Sequence, residues 1–426
     1  MIIESIQMSM KYTISFLLTL SFLFNPQLKA ADADLLYEDA VYENSIRTVE
    51  ITPLLPIRGK PDILNINRTG TYQLEFDDLR LDADYYFVYM VHCNANWAPS
   101  EFKPIEYLFD YNEFEITNYE FSIDTRTPYV HYSMKLPRVR FSGNYLIVVY
   151  RGNNVEDIVL SKRVSVFEDR IGVGASVAIS SGVVEREINQ QIELRINYSN
   201  VDVMIPAEEI KVVIRQNQRW DNALRDLQPS FIRPDLKELE YMHFNLENNF
   251  RGGNEFRFFD IRTLNFRGEN IGEIEILKDR IYASLYLDKD RGGQAYSEPL
   301  REDLNGQFQI ANLDDSPAEV TGEYSQVKFS LRADKIQKPV YVMGAMNSWQ
   351  RKPENLMTYN EDTGNYEGSQ YLKQGWYDYH YLVEDTEPFL FEGSHRYTRN
   401  EYEILVYYCR KGSRGDLLLG YRVIKS

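Results

Sequence analysis

Residues 143–167 read GNYLIVVYRGNNVEDIVLSKRVSVF, two apolar runs that are separated by a short polar turn. Each run is rich in the β-branched and aromatic residues that pleated strands favour. The preceding stretch VHYSMKL has an apolar residue at every second position, which is the period of a strand with one buried face. Those alternate positions are Val130, Tyr132, Met134 and Leu136. The whole region therefore predicts consecutive β-strands.

The same alternation recurs further along the chain, in QQIELRINYS, EEIKVVIRQ, RIYASLYLD and QVKFSLRAD. Turns rich in Gly, Asn, Asp and Pro separate these runs, and helical periodicity is nearly absent. Short strands at such intervals are typical of sandwiches and predict an all-β fold of stacked β-sandwiches.

Composition sets further limits. The chain has 426 residues and a formal net charge of −17, which suits about three domains and argues against nucleic acid or anionic lipid as a ligand. Its 32 Tyr are in excess, and tyrosine suits half-buried sheets and interfaces. We therefore expect a protein partner.

The N-terminus has the pattern of an export signal. Lys11 precedes an apolar run at residues 14–24, which Pro26 ends and the small residues Ala30 and Ala31 follow. This predicts a secretory signal peptide at residues 1–30 and an exported, periplasmic protein. No later apolar run is long enough for a transmembrane helix.

Two segments are turn-rich and indicate linkers, FEDRIGVGAS at 167–176 and NGQFQIANLDDSPAEVTGEY at 305–324. They divide the mature chain into an N-terminal β-sandwich at 36–168, a β-rich middle domain at 169–312 and a C-terminal β-sandwich at 313–426.

The stretch VHCNANW at 91–97 places a histidine beside a cysteine. Neighbours on a strand face opposite sides, so His92 and Cys93 cannot form a thiol–imidazole pair. If Cys93 faces the core, we expect His92 to face outward. The distant Cys409 leaves either a disulfide with Cys93 or two buried thiols, and the chain is large enough to favour the second.

Other chemistry finds little support. The acidic run FDDLRLDAD at 76–84 lacks the glycine turn of a calcium loop, which favours a solvated strand edge and turn. The five histidines have no metal-ligand spacing, and no motif of a hydrolase or a nucleotide-binding protein occurs. We expect neither an enzyme nor a cofactor or metal.

The segment FRGGNEFRFFDIRTLNFRG at 250–268 is an aromatic and basic cluster in an acidic chain. One interpretation is a hairpin with one aromatic face buried and its arginines outside. The other is a partner-binding surface, because arginines and aromatics supply interface anchors. Its candidate anchors are Arg251, Phe256, Arg257, Phe258, Phe259 and Arg262.

Residues 340–385 resemble the early-set immunoglobulin-like glycogen-binding modules, with a G-x-x-N-x-W turn and a Q-G-x-Y-x-Y strand. The resemblance implies that Trp349 stacks on a sugar, and Trp376 is the other candidate. His380 stands where the modules have a lysine, and an aromatic is missing near Pro388. The fold resemblance is therefore better than the sugar-binding one.

Over the mature chain, several stretches resemble the plug proteins of the type IX secretion system of Bacteroidota. The most specific are H-C-N-A-x-W at 92–97 and G-N-E-F-R-x-F-D at 253–260. The resemblance implies tandem immunoglobulin-like or early-set sandwiches and a non-enzymatic periplasmic protein at the outer membrane. Such a protein would bind the translocon β-barrel as a monomer within a hetero-complex and seal its periplasmic opening. The alternative is an exported carbohydrate-binding protein.

Overall fold

A computed structural model describes residues 35–54 and 62–426, and β-strands dominate this part of the chain, which confirms the predicted all-β fold. The expected signal peptide lies outside the described residues. Two sheets, each built from strands within 36–168, form the first sandwich. Its strands are β1 (Ala40–Val41), β2 (Ile46–Pro53), β3 (Ile63–Asn65), β4 (Tyr72–Asp78), β5 (Tyr86–Cys93), β6 (Phe114–Glu115), β7 (Asn118–Phe121), β8 (Val130–Lys135), β9 (Gly143–Arg151) and β10 (Ile158–Phe167). Helix α1 (Pro104–Tyr107) and a 3₁₀ turn (Ile66–Thr71) lie between them.

One sheet of this sandwich has the order β1-β10-β9-β5-β6, with β3 beside β10, and the other has the order β2-β4-β8-β7. The apolar face of β8 is buried as its alternation predicted, since Val130 and Tyr132 are fully covered. Both sheets contribute to one core, in which Phe76 stacks on Tyr132 at 5.1 Å.

His92 and Cys93 at the end of β5 face opposite sides, but the expectation that His92 faces outward is wrong. The His92 ring is buried, where Nδ1 bonds Ser100 Oγ at 2.9 Å and Nε2 bonds the Ser142 carbonyl at 3.1 Å. Burial lowers its pKa to about 4, so the ring is neutral. Cys93 is a free thiol beside Trp97 on the other side, as Cys409 is a free thiol elsewhere.

The rest of the chain forms two further sandwiches. The strands up to residue 310 are β11 (Gly172–Ile179), β12 (Asn189–Asn197), β13 (Ile210–Gln216), β14 (Phe231–Arg233), β15 (Glu238–Tyr241), β16 (Asn249–Arg251), β17 (Arg257–Asp260), β18 (Ile271–Ile276), β19 (Ile281–Leu285), β20 (Asp288–Lys289) and β21 (Phe308–Ile310). The later ones are β22 (Tyr324–Arg332), β23 (Val340–Met343), β24 (Leu356–Asn360), β25 (Asn365–Lys373), β26 (Gly375–Val383), β27 (Glu401–Tyr408) and β28 (Leu417–Lys425). Helices α2 (Pro206–Glu209) and α3 (Ala318–Thr321) and the 3₁₀ turns Glu185–Glu187, Ala345–Asn347 and Pro353–Asn355 complete the described elements.

The last two strands return to the middle of the molecule. Strand β27 pairs with β13 and β28, and this sheet packs on the sheet β11-β12-β15-β14 to enclose the second core. Strands β17 and β21 instead pair with β26 in the large sheet of the third sandwich. The second and third sandwiches therefore do not coincide with the expected units 169–312 and 313–426, because strand pairing joins residues on both sides of 312.

A buried lysine joins the first sandwich to the third. Lys373 Nζ, at the end of β25, lies 2.7 Å from Asp77 Oδ2 on β4, and both side chains are about 1% exposed. The Tyr324 hydroxyl donates to the same oxygen at 2.7 Å, and His131 Nδ1 bonds the other oxygen at 2.8 Å. Lys373 also lies 4.2 Å from the ring centre of Tyr129. The strand part of the acidic run at 76–84 is therefore buried and not a solvated edge, whereas Leu81 and Asp82 in the turn after it are exposed as expected.

A buried arginine forms a second connection. Arg215 on β13 donates from Nη1 to Asp62 Oδ2 at 2.6 Å, and its Nη2 donates to Glu403 on β27. Its side chain is 0% exposed, and the guanidinium carbon lies 4.4 Å from the ring centre of Trp220. Asp62 immediately precedes β3 of the first sandwich. Arg215 therefore connects that sandwich to strands β13 and β27 of the second. Residues 35–426 thus form one compact unit.

Breaking the lysine connection should be costly. We expect Lys373→Met to lower the free energy of unfolding by about 3–5 kcal/mol, because Asp77 would keep a buried charge without its nearest cation. Urea unfolding followed by tryptophan fluorescence measures the loss. Lys335→Met, at an exposed pair with Glu361, is the matched control and should leave the midpoint unchanged. Equal midpoints for the two variants would contradict this role of Lys373.

The same cluster predicts a pH dependence. Burial alone would lower the pKa of His131, but hydrogen bonds to Asp77 and Glu75 raise it from 6.5 to about 9. The protonated ring therefore adds stability that is complete below pH 6.5 and is lost as pH rises through 9, at most about 3 kcal/mol. Urea midpoints between pH 6 and 10 test this, and His131→Gln should remove most of the slope. An unchanged slope in that variant would assign it to other groups.

Candidate partner-binding surface

The motif G-N-E-F-R-x-F-D lies in a buried seam between the second and third sandwiches. The Gly253 carbonyl accepts from His395 N at 2.8 Å and from Thr398 Oγ1 at 2.7 Å. Asn254 Nδ2 donates to the Glu392 carbonyl at 2.8 Å. At Gly252, just before the motif, an added Cβ would lie 2.0 Å from the His395 carbonyl oxygen, so this close approach requires glycine. These contacts give the motif a structural role.

Two of the predicted anchors are buried. Phe259 is 0% exposed and stacks on Tyr377 at 5.2 Å. Arg257 lies on the same face of β17 as Phe259, and its exposed fraction is 8%. Neither residue is accessible to a partner, and Arg257 also does not point outside as the hairpin interpretation expected. The alternation of β17 places both side chains on its inner face.

Arg257 is held by carboxylates that lie far away in the sequence. Its Nε lies 3.0 Å from Glu392 Oε1, and its Nη1 lies 2.8 Å from Asp288 Oδ1. Burial alone would raise the pKa of Glu392, but Arg291 and Arg257 lower it to about 2. The carboxylate is therefore charged at neutral pH, and the cluster fixes the loop before β27 to the third sandwich.

The remaining predicted anchors lie closer to the surface. Phe258 stacks on Trp376 with ring centres 4.6 Å apart, and Arg262 lies 5.3 Å from the Trp376 ring centre. Arg262 itself pairs with Asp260 at 2.7 Å, and its side chain is 30% exposed. Arg251 pairs with Glu387 at 2.8 Å. These arginines are already bound to acids within the chain, which weakens their availability to a partner.

The two candidate sugar-stacking tryptophans are both covered, at 8% exposure each. Arg219 lies 4.2 Å from the Trp349 ring centre, and Phe256 contacts the same ring edge-on. Trp349 borders a cleft of about 440 Å³ but offers it little ring surface. Stacking on a sugar requires an open ring face, so this geometry does not favour carbohydrate binding at Trp349 or Trp376.

The exposed part of the 250–268 segment is its final turn. Phe266 is 66% exposed and lines a groove of about 420 Å³ with Leu264 and with Ile274 and Ile276 of β18. Arg267 donates from Nη1 to the Gly272 carbonyl at 2.8 Å. Phe266 was not among the predicted anchors, although its position after the buried strand and before Gly268 indicates a turn.

Within residues 35–54 and 62–426, no cluster of three or more metal-ligating side chains occurs, and no helix has the length and hydrophobicity to cross a membrane. The described residues form β-sandwiches that buried ion pairs connect.

Comparison with known proteins matches one part of the chain to a described family. Residues 46–168 match the family described as type 9 secretion system plug protein 1st domain, which confirms the resemblance expected from the sequence. Residues 46–168 are therefore similar to a plug-protein first domain. The matched family is described as a domain of a secretion system and is not an enzyme family.

A solved structure is similar to this chain over nearly its whole length. A hypothetical protein from Parabacteroides merdae is 29% identical, with a TM-score of 0.85, and the match covers 92% of this chain and 100% of that one. No curated protein matches the chain.

Two arginines of the candidate segment should differ in their effect on stability. We expect Arg257→Glu to lower the free energy of unfolding by about 3–5 kcal/mol, because it would place a third carboxylate beside Glu392 and Asp288. Arg262→Glu should change it little, since that side chain is partly solvated. Urea unfolding of both variants tests the difference. A well-folded Arg257→Glu protein would show that Arg257 does not hold the seam.

Proposed function

We propose that this protein is a non-enzymatic periplasmic plug that binds the outer-membrane translocon β-barrel of the type IX secretion system and closes its periplasmic opening. The match of residues 46–168 to a plug-protein first domain carries the proposal. The seams of the structure support it, because a cover over a wide pore must resist deformation.

The physical requirement is simple. A barrel wide enough for folded cargo would leak small solutes through any open end. A cover needs a broad rigid body and a reversible contact, and it needs no catalytic group. The buried cations Lys373 and Arg215 join the sandwiches here. The chain therefore offers one rigid body in place of separate domains on flexible linkers. Binding as one copy per barrel, within the hetero-complex, completes the proposal.

Electrical conductance tests sealing directly. The purified translocon barrel is placed in a planar lipid bilayer, and the mature chain is added to the periplasmic side. We expect the conductance to fall in a concentration-dependent way and to recover when the protein is washed out. Addition to the opposite side is the control and should change nothing. An unaltered conductance at saturating protein on the periplasmic side would contradict the proposed function.

A further inference from the structure

A basic and aromatic surface lies on the first sandwich, away from the 250–268 segment. Leu108 forms a β-bridge with Val139, and Arg140 N donates to the Tyr107 carbonyl at 2.8 Å. Leu108 and Val139 point into the core, so their neighbours point outward. This places Phe109 beside Arg138 and Arg140. We call these three residues, with exposed Ile105 and Tyr111, the basic-aromatic patch.

Both arginines of the patch rest on one ring. The guanidinium carbons of Arg138 and Arg140 lie 5.1 and 4.7 Å from the ring centre of Phe109. Two guanidinium groups this close to one ring make cation–π contacts that restrain both side chains. Both arginine side chains are exposed, so their N–H donors remain available to acceptors. The patch is therefore preorganised for acceptors.

In the part of the chain that the structure describes, no carboxylate occupies these donors. Among the described residues, Arg138 and Arg140 have no acidic partner within ion-pair distance, and Asp110, the adjacent acid, bonds neither of them. A third cation lies close by, because an added Cβ at Gly70 would lie 3.2 Å from Arg138 Cγ and 3.7 Å from Lys135 Cε. In a chain with 64 acidic and 47 basic residues, adjacent unpaired cations are a marked local exception.

The patch also exposes apolar area. Phe109 is 51% exposed, Ile105 is 76% exposed and Tyr111 is 82% exposed. Arginine and aromatic side chains are the residues enriched among interface anchors. Guanidinium groups bind carboxylates through paired, charge-assisted hydrogen bonds. The exposed apolar side chains beside the cations favour a protein surface, which can offer carboxylates and apolar groups together, over a nucleic acid or an anionic lipid headgroup.

We infer that the basic-aromatic patch is the surface by which the chain docks on an acidic, partly apolar segment of its protein partner. This inference rests on the proposed function, in which that partner is the translocon barrel. It also moves the contact from the predicted 250–268 segment to the plug-protein first domain itself, since the patch lies within residues 46–168.

Binding measurements with charge-reversal variants test the inference. The affinity of the mature chain for the detergent-solubilised barrel is measured at increasing salt. We expect Arg138→Glu together with Arg140→Glu to weaken binding at least tenfold and to reduce its salt dependence. Phe109→Ala should weaken it about tenfold, because both arginines lose their support. The matched control reverses Arg186 and Arg332, which are exposed and have no ion pair among the described residues.

The outcomes separate the two hypotheses. Wild-type binding that the patch variants leave unchanged, or that the control weakens equally, would overturn the patch and keep the proposed function. Absence of wild-type binding would overturn both. Vesicles of phosphatidylglycerol and phosphatidylcholine are tested in parallel by co-sedimentation. Patch-dependent binding to these vesicles, without patch-dependent binding to the barrel, would show a lipid contact and overturn a protein partner. Circular dichroism and urea midpoints confirm that each variant is folded.

Discussion

The contact between Lys373 and Asp77 is the interaction on which the architecture depends. It joins residues 296 positions apart, with both charges removed from solvent. Desolvation makes such a pair expensive unless each remaining lone pair and proton finds a partner. Tyr324, His131 and the Glu319 carbonyl provide those partners here. An arrangement that requires strands from two sandwiches to be present at once favours a single relative placement of the two.

Arg215 forms a similar buried ion pair between the first and second sandwiches. Arg257 forms another between the third sandwich and the loop that leads into β27. Apolar packing would hold neighbouring sandwiches together, yet it tolerates sliding because it is non-directional. Paired guanidinium–carboxylate bonds fix orientation. The combination suits a body that must keep its shape against the rim of a pore. It also explains why Arg257, in a segment that looked like a binding surface, is buried.

The strands were predictable, whereas the seams were not. Alternation is a local property, so Val130, Tyr132 and the core of β12 could be assigned from the sequence. Asp77 and Arg257 are buried because each meets a partner that lies more than a hundred residues away in the sequence, Lys373 and Glu392. A local sequence pattern carries no information about such a partner. The prediction that His92 faces outward was wrong for a related reason. A side chain on the outer face of a strand is exposed only if nothing covers that face. The return of β27 and β28 to the second sandwich is equally invisible to composition.

The candidate site shows the same division. Sequence reasoning selected 250–268 because aromatics and arginines alternate there, but that alternation places Arg257 and Phe259 inside. The signal that it missed is P-R-V-R at 137–140, where arginines flank an apolar residue directly after a strand. Its two arginines become a surface feature only through Phe109, which the bridge between Leu108 and Val139 brings beside them. Exposure and the lack of an acidic partner, rather than composition, distinguish the two clusters.

Hydrogen exchange followed by mass spectrometry tests the central claim, that the charged seams make the sandwiches one mechanical unit. Amides of β4 in the first sandwich and of β25 in the third should exchange with the same opening free energy, because neither can unfold while the other keeps its half of the buried pair. Clearly different opening free energies on the two sides of the Asp77–Lys373 contact would contradict the account. The sandwiches would then be independent domains that merely touch.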